Sequence, residues 1–196
     1  MTRSPKTITV DQRLAIFKAL DSNHFTRRQR LRAVRNVTMF LLMYETGLRV
    51  GEICKLIVSD LYFAGEPVET LIVREEVAKN GVEREIPCSQ LVRSMLSQVF
   101  ITYWSAFKAR PDSFAFFASD PSKPLSTRTV ERFIRSAALK AINKRVTPHM
   151  LRHSFATNVL RKSNTRVVQM LLGHKSEQTT QVYTHPDLDD LRRAIE

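Results

Sequence analysis

The segment Thr147-Pro148-His149-Met150-Leu151-Arg152-His153 has the composition of an anion site at the start of a helix. Thr147 is a good N-cap, and Pro148 suits the first helical position, where its missing N–H costs nothing. His149 then falls in the first turn, with Arg152 three residues on and on the same face. A helix start already attracts anions through its unpaired N–H groups and dipole, so an imidazole and a guanidinium added there make a phosphate site. The plainer explanation is a solvated basic helix start. His153 falls on a different part of the helix and reads as structural.

Three other stretches carry side chains suited to phosphate chemistry. In Thr46-Gly47-Leu48-Arg49-Val50-Gly51-Glu52, Arg49 follows a glycine turn and Glu52 lies three residues on. This is either a surface ion pair worth ~0–1 kcal/mol or an arginine held by its acid for bidentate phosphate contact. Lys79, beside Asn80-Gly81, sits where a hairpin tip is expected; a lysine there is ordinarily just solvated, and can also be carried into a DNA groove. In Leu171-Leu172-Gly173-His174, Gly173 reads as the residue that ends a helix, with His174 just beyond it. Tyr183 follows nine residues later, between polar Gln181 and Thr184, an unusual setting for a packing aromatic, though tyrosine is common at surfaces; His185 reads as capping or solvated.

The elements that must position these residues are mostly helical. Thr9-Val10-Asp11-Gln12 opens a helix carrying Leu14, Ile16, Phe17 and Leu20. Residues 27–35 place five arginines in nine positions and lead into the apolar run Val37 to Tyr44, too apolar for a surface helix and so a central core helix. Gly47 ends it, and Val50 to Ile57 starts another. Between 68 and 87 the pattern is rich in β-formers and is broken by Asn80-Gly81, a strong short hairpin signal. Helical patterning returns over Gln90–Lys108, Ser126–Lys144 and Pro148–Lys162, then in short helices around Arg166–Leu172 and Glu177–Tyr183, and in an amphipathic tail, Leu188 to Ile195. The expected fold is mainly α with one small antiparallel β-sheet, an α+β domain over 8–187 between a basic leader (1–7) and a tail helix (188–196).

Composition bounds the partner. The chain of 196 residues holds one sizeable core, and Lys plus Arg outnumber Asp plus Glu by 31 to 19, a formal charge of +12. A small domain with that excess usually meets a polyanion, because each neutralised phosphate releases counterions. RNA-binding and membrane-surface proteins share this balance. Cys54 and Cys88 lie in apolar surroundings without metal-ligand spacing and read as free thiols of a reducing compartment. With no apolar run approaching a membrane span and no secretory leader, the expected location is cytoplasmic.

Each segment has a bland explanation alone; their order does not. TGLRVGEI, VAKNGVEREIP, TPHMLRHSFAT, LLGH and YTH together resemble the catalytic signature of the tyrosine recombinases, the lambda integrase family, from about residue 8 to 190. The resemblance implies a DNA-cleaving fold with Arg49 as the first catalytic arginine, Lys79 as the hairpin lysine, His149 and Arg152 as the HxxR pair, His174 at a position held by His or Trp, and Tyr183 as nucleophile. Glu52 matches an acid that often follows the first arginine. The hairpin departs from the common Gly-Lys-Gly, with Ala78 and Asn80 flanking Lys79. Most members carry a further helical domain N-terminal to this one; this chain resembles short members such as fimbrial-switch invertases, or an excised catalytic domain.

The resemblance further implies a double-stranded DNA partner, no cofactor or metal, a nucleoid-associated enzyme, and a tetramer on two DNA sites linked through C-terminal tails. DNA grip is expected from residues 27–35 and from the helix over 126–145, which carries Arg128, Arg132, Arg135, Lys140, Lys144 and Arg145. A non-catalytic DNA-binding relative or a type IB topoisomerase-like enzyme would share parts of this pattern. A missing catalytic position would mark the first, and relaxation without strand exchange the second.

Overall fold

Two helices begin on the same local device, a threonine followed three residues later by glutamine. The Gln12 N–H donates to Thr9 Oγ1 (3.2 Å) and the Thr9 N–H to Gln12 Oε1 (3.1 Å), opening α1 at Val10–Asp21. Thr26 and Gln29 do the same for α2, Arg27–Thr46. The computed structural model describes residues 7–21, 26–79 and 81–173. Residues 1–6 of the leader, the expected Glu177–Tyr183 helix, the tail, His174 and Tyr183 all lie outside these.

The expected central helix is present. From Val37 to Tyr44 every residue of α2 is buried, and the helix packs against both α5 (Gln90–Val99) and α8 (Pro148–Leu160). Its first half is a different surface: Arg27, Arg28, Arg30 and Arg32 are exposed. Arg35 departs from the expected basic face. It is 5% exposed and donates to the Phe117 carbonyl (2.7 Å) and to Asn36 Oδ1 (2.8 Å), so it braces the core rather than facing solvent. Its burial lowers its pKa from the ordinary value, partly offset by Tyr103.

Gly47 ends α2 with φ +66°, and a Cβ there would stand 2.4 Å from Phe155 Cδ1. Both backbone and space therefore require glycine. The turn leads directly to α3 (Val50–Lys55), with Arg49 as its N-cap, and then α4 (Val58–Leu61). A short ribbon, β1 (Tyr62–Phe63) with β2 (Glu66–Pro67), precedes the antiparallel pair β3 (Thr70–Val73) and β4 (Arg84–Pro87).

The hairpin expectation needs correction. Val73 pairs with Arg84, so a ten-residue connection over 74–83 replaces the tight Asn-Gly turn. Its Val77 and Ala78 N–H groups both return to the Arg74 carbonyl (3.0 and 2.9 Å), a helical-type turn that withdraws Val77 from strand pairing. Gly81 still uses positive φ (+60°), but as part of a loop. Lys79 is thus carried on a long connection rather than at a two-residue tip.

After α5 the helix passes through a π-turn, Phe100–Trp104, into α6 (Ser105–Phe107). That turn buries Tyr103 and Trp104, whose indole N–H donates to the Ala115 carbonyl (2.8 Å). α7 (Thr127–Ile142) lies mainly against α1, and α9 (Thr165–Leu172) closes against α8. Both cysteines are free, Cys54 buried and Cys88 half-buried. No helix among the described residues is long and apolar enough to cross a membrane.

Candidate active site

α8 starts as its sequence directs: Thr147 Oγ1 accepts from the Met150 N–H (3.3 Å) and Pro148 occupies the first turn. His149 is exposed at this helix start, and Arg152, one turn on, points inward with 4% exposure. The Arg152 guanidinium donates to the Gly47 carbonyl (2.6 Å) and the Leu172 carbonyl (2.7 Å). It therefore ties the end of α2 and the end of α9 to α8. Those carbonyls are the acceptors a helix end leaves over, and a cation there also meets the negative end of the dipole.

Glu52 is the second centre. It is 1% exposed, yet carries a carboxylate gripped from two elements. Arg49 donates to it through its backbone N–H (2.9 Å) and through Nη1 (2.9 Å). From β4, Arg84 makes a two-pronged pair, Nη2 to Oε2 at 2.6 Å and Nη1 to Oε1 at 3.2 Å. The Lys79 N–H points at Oε1 from 3.5 Å, a weak contact that places the connection beside the carboxylate. Burial pushes the Glu52 pKa up, but the hydrogen bonds and charge of Arg84, then Arg49, outweigh it and hold the carboxyl at about 2.

A depressed pKa has a sign for stability. Glu52 contributes above the unfolded value near 4.5, and that contribution is lost as pH falls toward about 2. The drop corresponds to about 3 kcal/mol. Urea unfolding of the parent should lose this between pH 5 and pH 2, whereas Glu52→Gln should start lower and lose much less over the same range. Equal pH dependence in the two proteins would contradict the account of this carboxylate.

His149 and His153 meet edge to face, Nε2 to Nε2 at 2.7 Å. Burial, then the charges of Arg152 and Arg49, lower the His149 pKa; burial, His149 and Arg152 push His153 down to about 4. At neutral pH both rings are therefore uncharged, and one nitrogen of the contact carries the proton while the other accepts. His149 lies one turn before Arg152 on α8, and Arg152 reaches the Gly47 carbonyl, two residues before Arg49.

Four of the six candidates, Arg49, Lys79, His149 and Arg152, are thus drawn together from three segments: the start of α3, the 74–83 connection and α8. His174 and Tyr183 lie outside the described residues, but Gly173 ends α9 in the left-handed region (φ +63°), as the sequence suggested, beside Arg152 and Arg84. Beside His149, a cavity of about 580 Å³ opens between α7 and the start of α8, edged by Arg128, Arg132, Arg135 and Arg145 with one acid, Glu131. A larger cavity, about 950 Å³, lies between α7 and the first half of α2 and includes Arg27, Arg28, Arg32 and Lys140. It contains none of the four candidates among the described residues. Among the described residues no cluster of His, Cys, Asp and Glu is placed to hold a metal ion.

Sequence reasoning missed the part played by Arg84. The signal was available: strand alternation points Ile86 inward, and Arg84 shares its face, so a charge occupies a core-facing position.

The phage integrase family matches residues 6–189. Tyrosine recombinase XerC of Pseudomonas fluorescens is 32% identical over 192 residues, covering 96% of this chain and 58% of that protein. Tyrosine recombinase XerA of Pyrococcus furiosus is 36% identical over 164 residues, covering 83% of this chain and 54% of that protein. The chain thus spans little more than half the length of these relatives. A crystal structure of XerA recombinase superposes with TM-score 0.76 at 31% identity, covering 97% of this chain and 64% of that one. XerH site-specific recombinase bound to difH substrate, a pre-cleavage complex, shares the fold with TM-score 0.75 at 23% identity, covering 99% of this chain and 54% of that one.

Proposed function

This chain belongs to the phage integrase family of tyrosine recombinases, and we propose that it breaks and rejoins DNA strands at specific sites through a covalent tyrosine intermediate. The observation that carries the reading is the convergence of Arg49, His149 and Arg152, with Lys79 alongside, next to an arginine-edged cavity. The net charge of +12 and the exposed arginines at the start of α2 support duplex DNA as the partner.

Each residue has a distinct task. The Tyr183 oxygen attacks the scissile phosphorus, forming a 3′-phosphotyrosyl ester as the bond to the 5′-oxygen breaks. His149, neutral at pH 7, takes the phenol proton; Lys79 gives a proton to the departing 5′-oxygen. Arg49 and Arg152 bind the non-bridging oxygens, where charge builds, with His174 as a further donor. Religation runs the same steps backwards from a 5′-hydroxyl. The ester conserves the bond, so no nucleotide is consumed. Arg27, Arg28, Arg30 and Arg32, with the basic face of α7, grip the phosphate backbone.

A plasmid with two copies of the target site tests the reading. Recombinant circles are expected; relaxation alone would identify a topoisomerase-like enzyme, and binding without either product a non-catalytic relative. The enzyme would act in the cytoplasm, at the nucleoid, and needs no cofactor for these steps.

The tail makes a second, separable prediction. Leu188, Leu191, Ala194 and Ile195 recur at helical spacing, and a stripe that short is stable only when packed. We assign it to contacts between protomers in a tetramer on two sites. Truncation after Pro186 should keep single-site binding and remove the paired complex in sedimentation. An intact tetramer on DNA after truncation would refute this.

A further inference from the structure

Arg84 has all three guanidinium nitrogens engaged within the protein, Nη1 and Nη2 by Glu52 and Nε by the Leu171 carbonyl. Its side chain is 4% exposed, against 22% for Arg49, although both bind the same carboxylate. A buried ion pair gains little net stability over an apolar pair of equal volume, so stability alone explains it poorly. The charge balance explains it better. Arg49, Arg84 and Glu52 together leave one net positive charge; without Arg84, the Glu52 carboxylate would cancel Arg49. The same guanidinium donates through Nε to the Leu171 carbonyl (3.0 Å), one residue before the carbonyl that Arg152 binds. Its Cδ stands 3.1 Å from where a Cβ on Gly173 would lie.

We propose that Arg84 is a positioning residue for strand cleavage: it takes up the Glu52 carboxylate so that Arg49 keeps its charge for the phosphate. It acts through Arg49, not on the substrate. In the same way it sets the place of the Lys79 connection, whose backbone N–H shares Glu52 Oε1 with Arg84. The proposal rests on the cleavage reading above.

The test is single-turnover adduct formation on a nicked suicide duplex at saturating DNA, expressed per folded molecule, with affinity for intact duplex measured alongside. Arg84→Met should slow the covalent step about 10²-fold, as loss of one oxyanion donor would, and change duplex affinity only a few-fold. Arg84→Lys, which keeps the charge, should recover at least about tenfold of that loss. The double variant Arg84→Met/Glu52→Gln removes both charges, returns Arg49 its own, and should cleave within about tenfold of the parent. This variant buries no unpaired charge, so it decides the matter even where Arg84→Met does not fold. A double variant folded but about 10²-fold slow, or Arg84→Met cleaving at the parent rate per folded molecule, would overturn the positioning role and leave the cleavage reading standing. A parent that forms no adduct overturns both.

Discussion

Replacing Tyr183 with phenylalanine is expected to leave duplex binding intact and to abolish the covalent protein–DNA adduct. The ring is retained, so any packing it provides survives; the hydroxyl, which alone can form the ester, is lost. A phenol ionises only near pH 10, about three units above neutrality, so the attack needs cations and a base beside it. In the proposed mechanism Arg49, Arg152 and His149 meet that need. A nicked suicide duplex incubated with the parent should give a slower-migrating, protease-sensitive species, and the variant none. An adduct of undiminished amount in Tyr183→Phe would remove Tyr183 from the reaction.

Lys79→Ala should cleave ordinary DNA slower by about 10²–10⁴-fold, the usual worth of a positioned general acid. The departing 5′-oxygen is a poor leaving group because its conjugate acid is weak, and a proton delivered during bond breaking removes that penalty. Sulfur in place of the bridging oxygen leaves as a thiolate without a proton. The variant should therefore cleave a 5′-phosphorothiolate substrate at nearly the parent rate. Arg152→Ala should gain nothing from the same substitution, because charge on the non-bridging oxygens is unchanged. Equal defects of Lys79→Ala on both substrates would return Lys79 to a DNA contact on its exposed connection.

What could be read from the chain divides by how local its cause is. The α8 start was legible because Thr147, Pro148, His149 and Arg152 act within two turns of one helix, and the glycine ends at 47 and 173 because a left-handed residue leaves a local mark. The buried middle of α2 was legible from apolarity on every face. The connection over 74–83 was misread because Asn80-Gly81 is a strong local signal, while the pairing of Val73 with Arg84 is set by Leu71 and Ile86 turning into a core built elsewhere. Arg35 was misread for a similar reason: in a run of arginines nothing nearby reveals that this one reaches the Phe117 carbonyl, 82 residues away in sequence. The Glu52–Arg84 pair spans 32 residues and two kinds of secondary structure. Half of that centre, Arg49 with Glu52, lay within one helical turn and was found; the other half had only its inward-facing register to betray it. Neither the ordering of the catalytic set nor its roles came from composition or charge, which fitted several classes of polyanion-binding protein. They came from the resemblance in the order of five short blocks.

Mass spectrometry of the trapped adduct tests the central claim most directly. The parent protein is captured on the nicked duplex, nuclease-trimmed to a mononucleotide and digested at lysine and arginine. The tail-side fragment then runs from Ser176 to Arg192 and contains one tyrosine, Tyr183, among competing hydroxyls at Ser176, Thr179, Thr180 and Thr184. The account predicts a nucleoside 3′-phosphate remnant on Tyr183. A remnant on any other residue, a 5′-phosphate linkage, or no covalent remnant at all would contradict it.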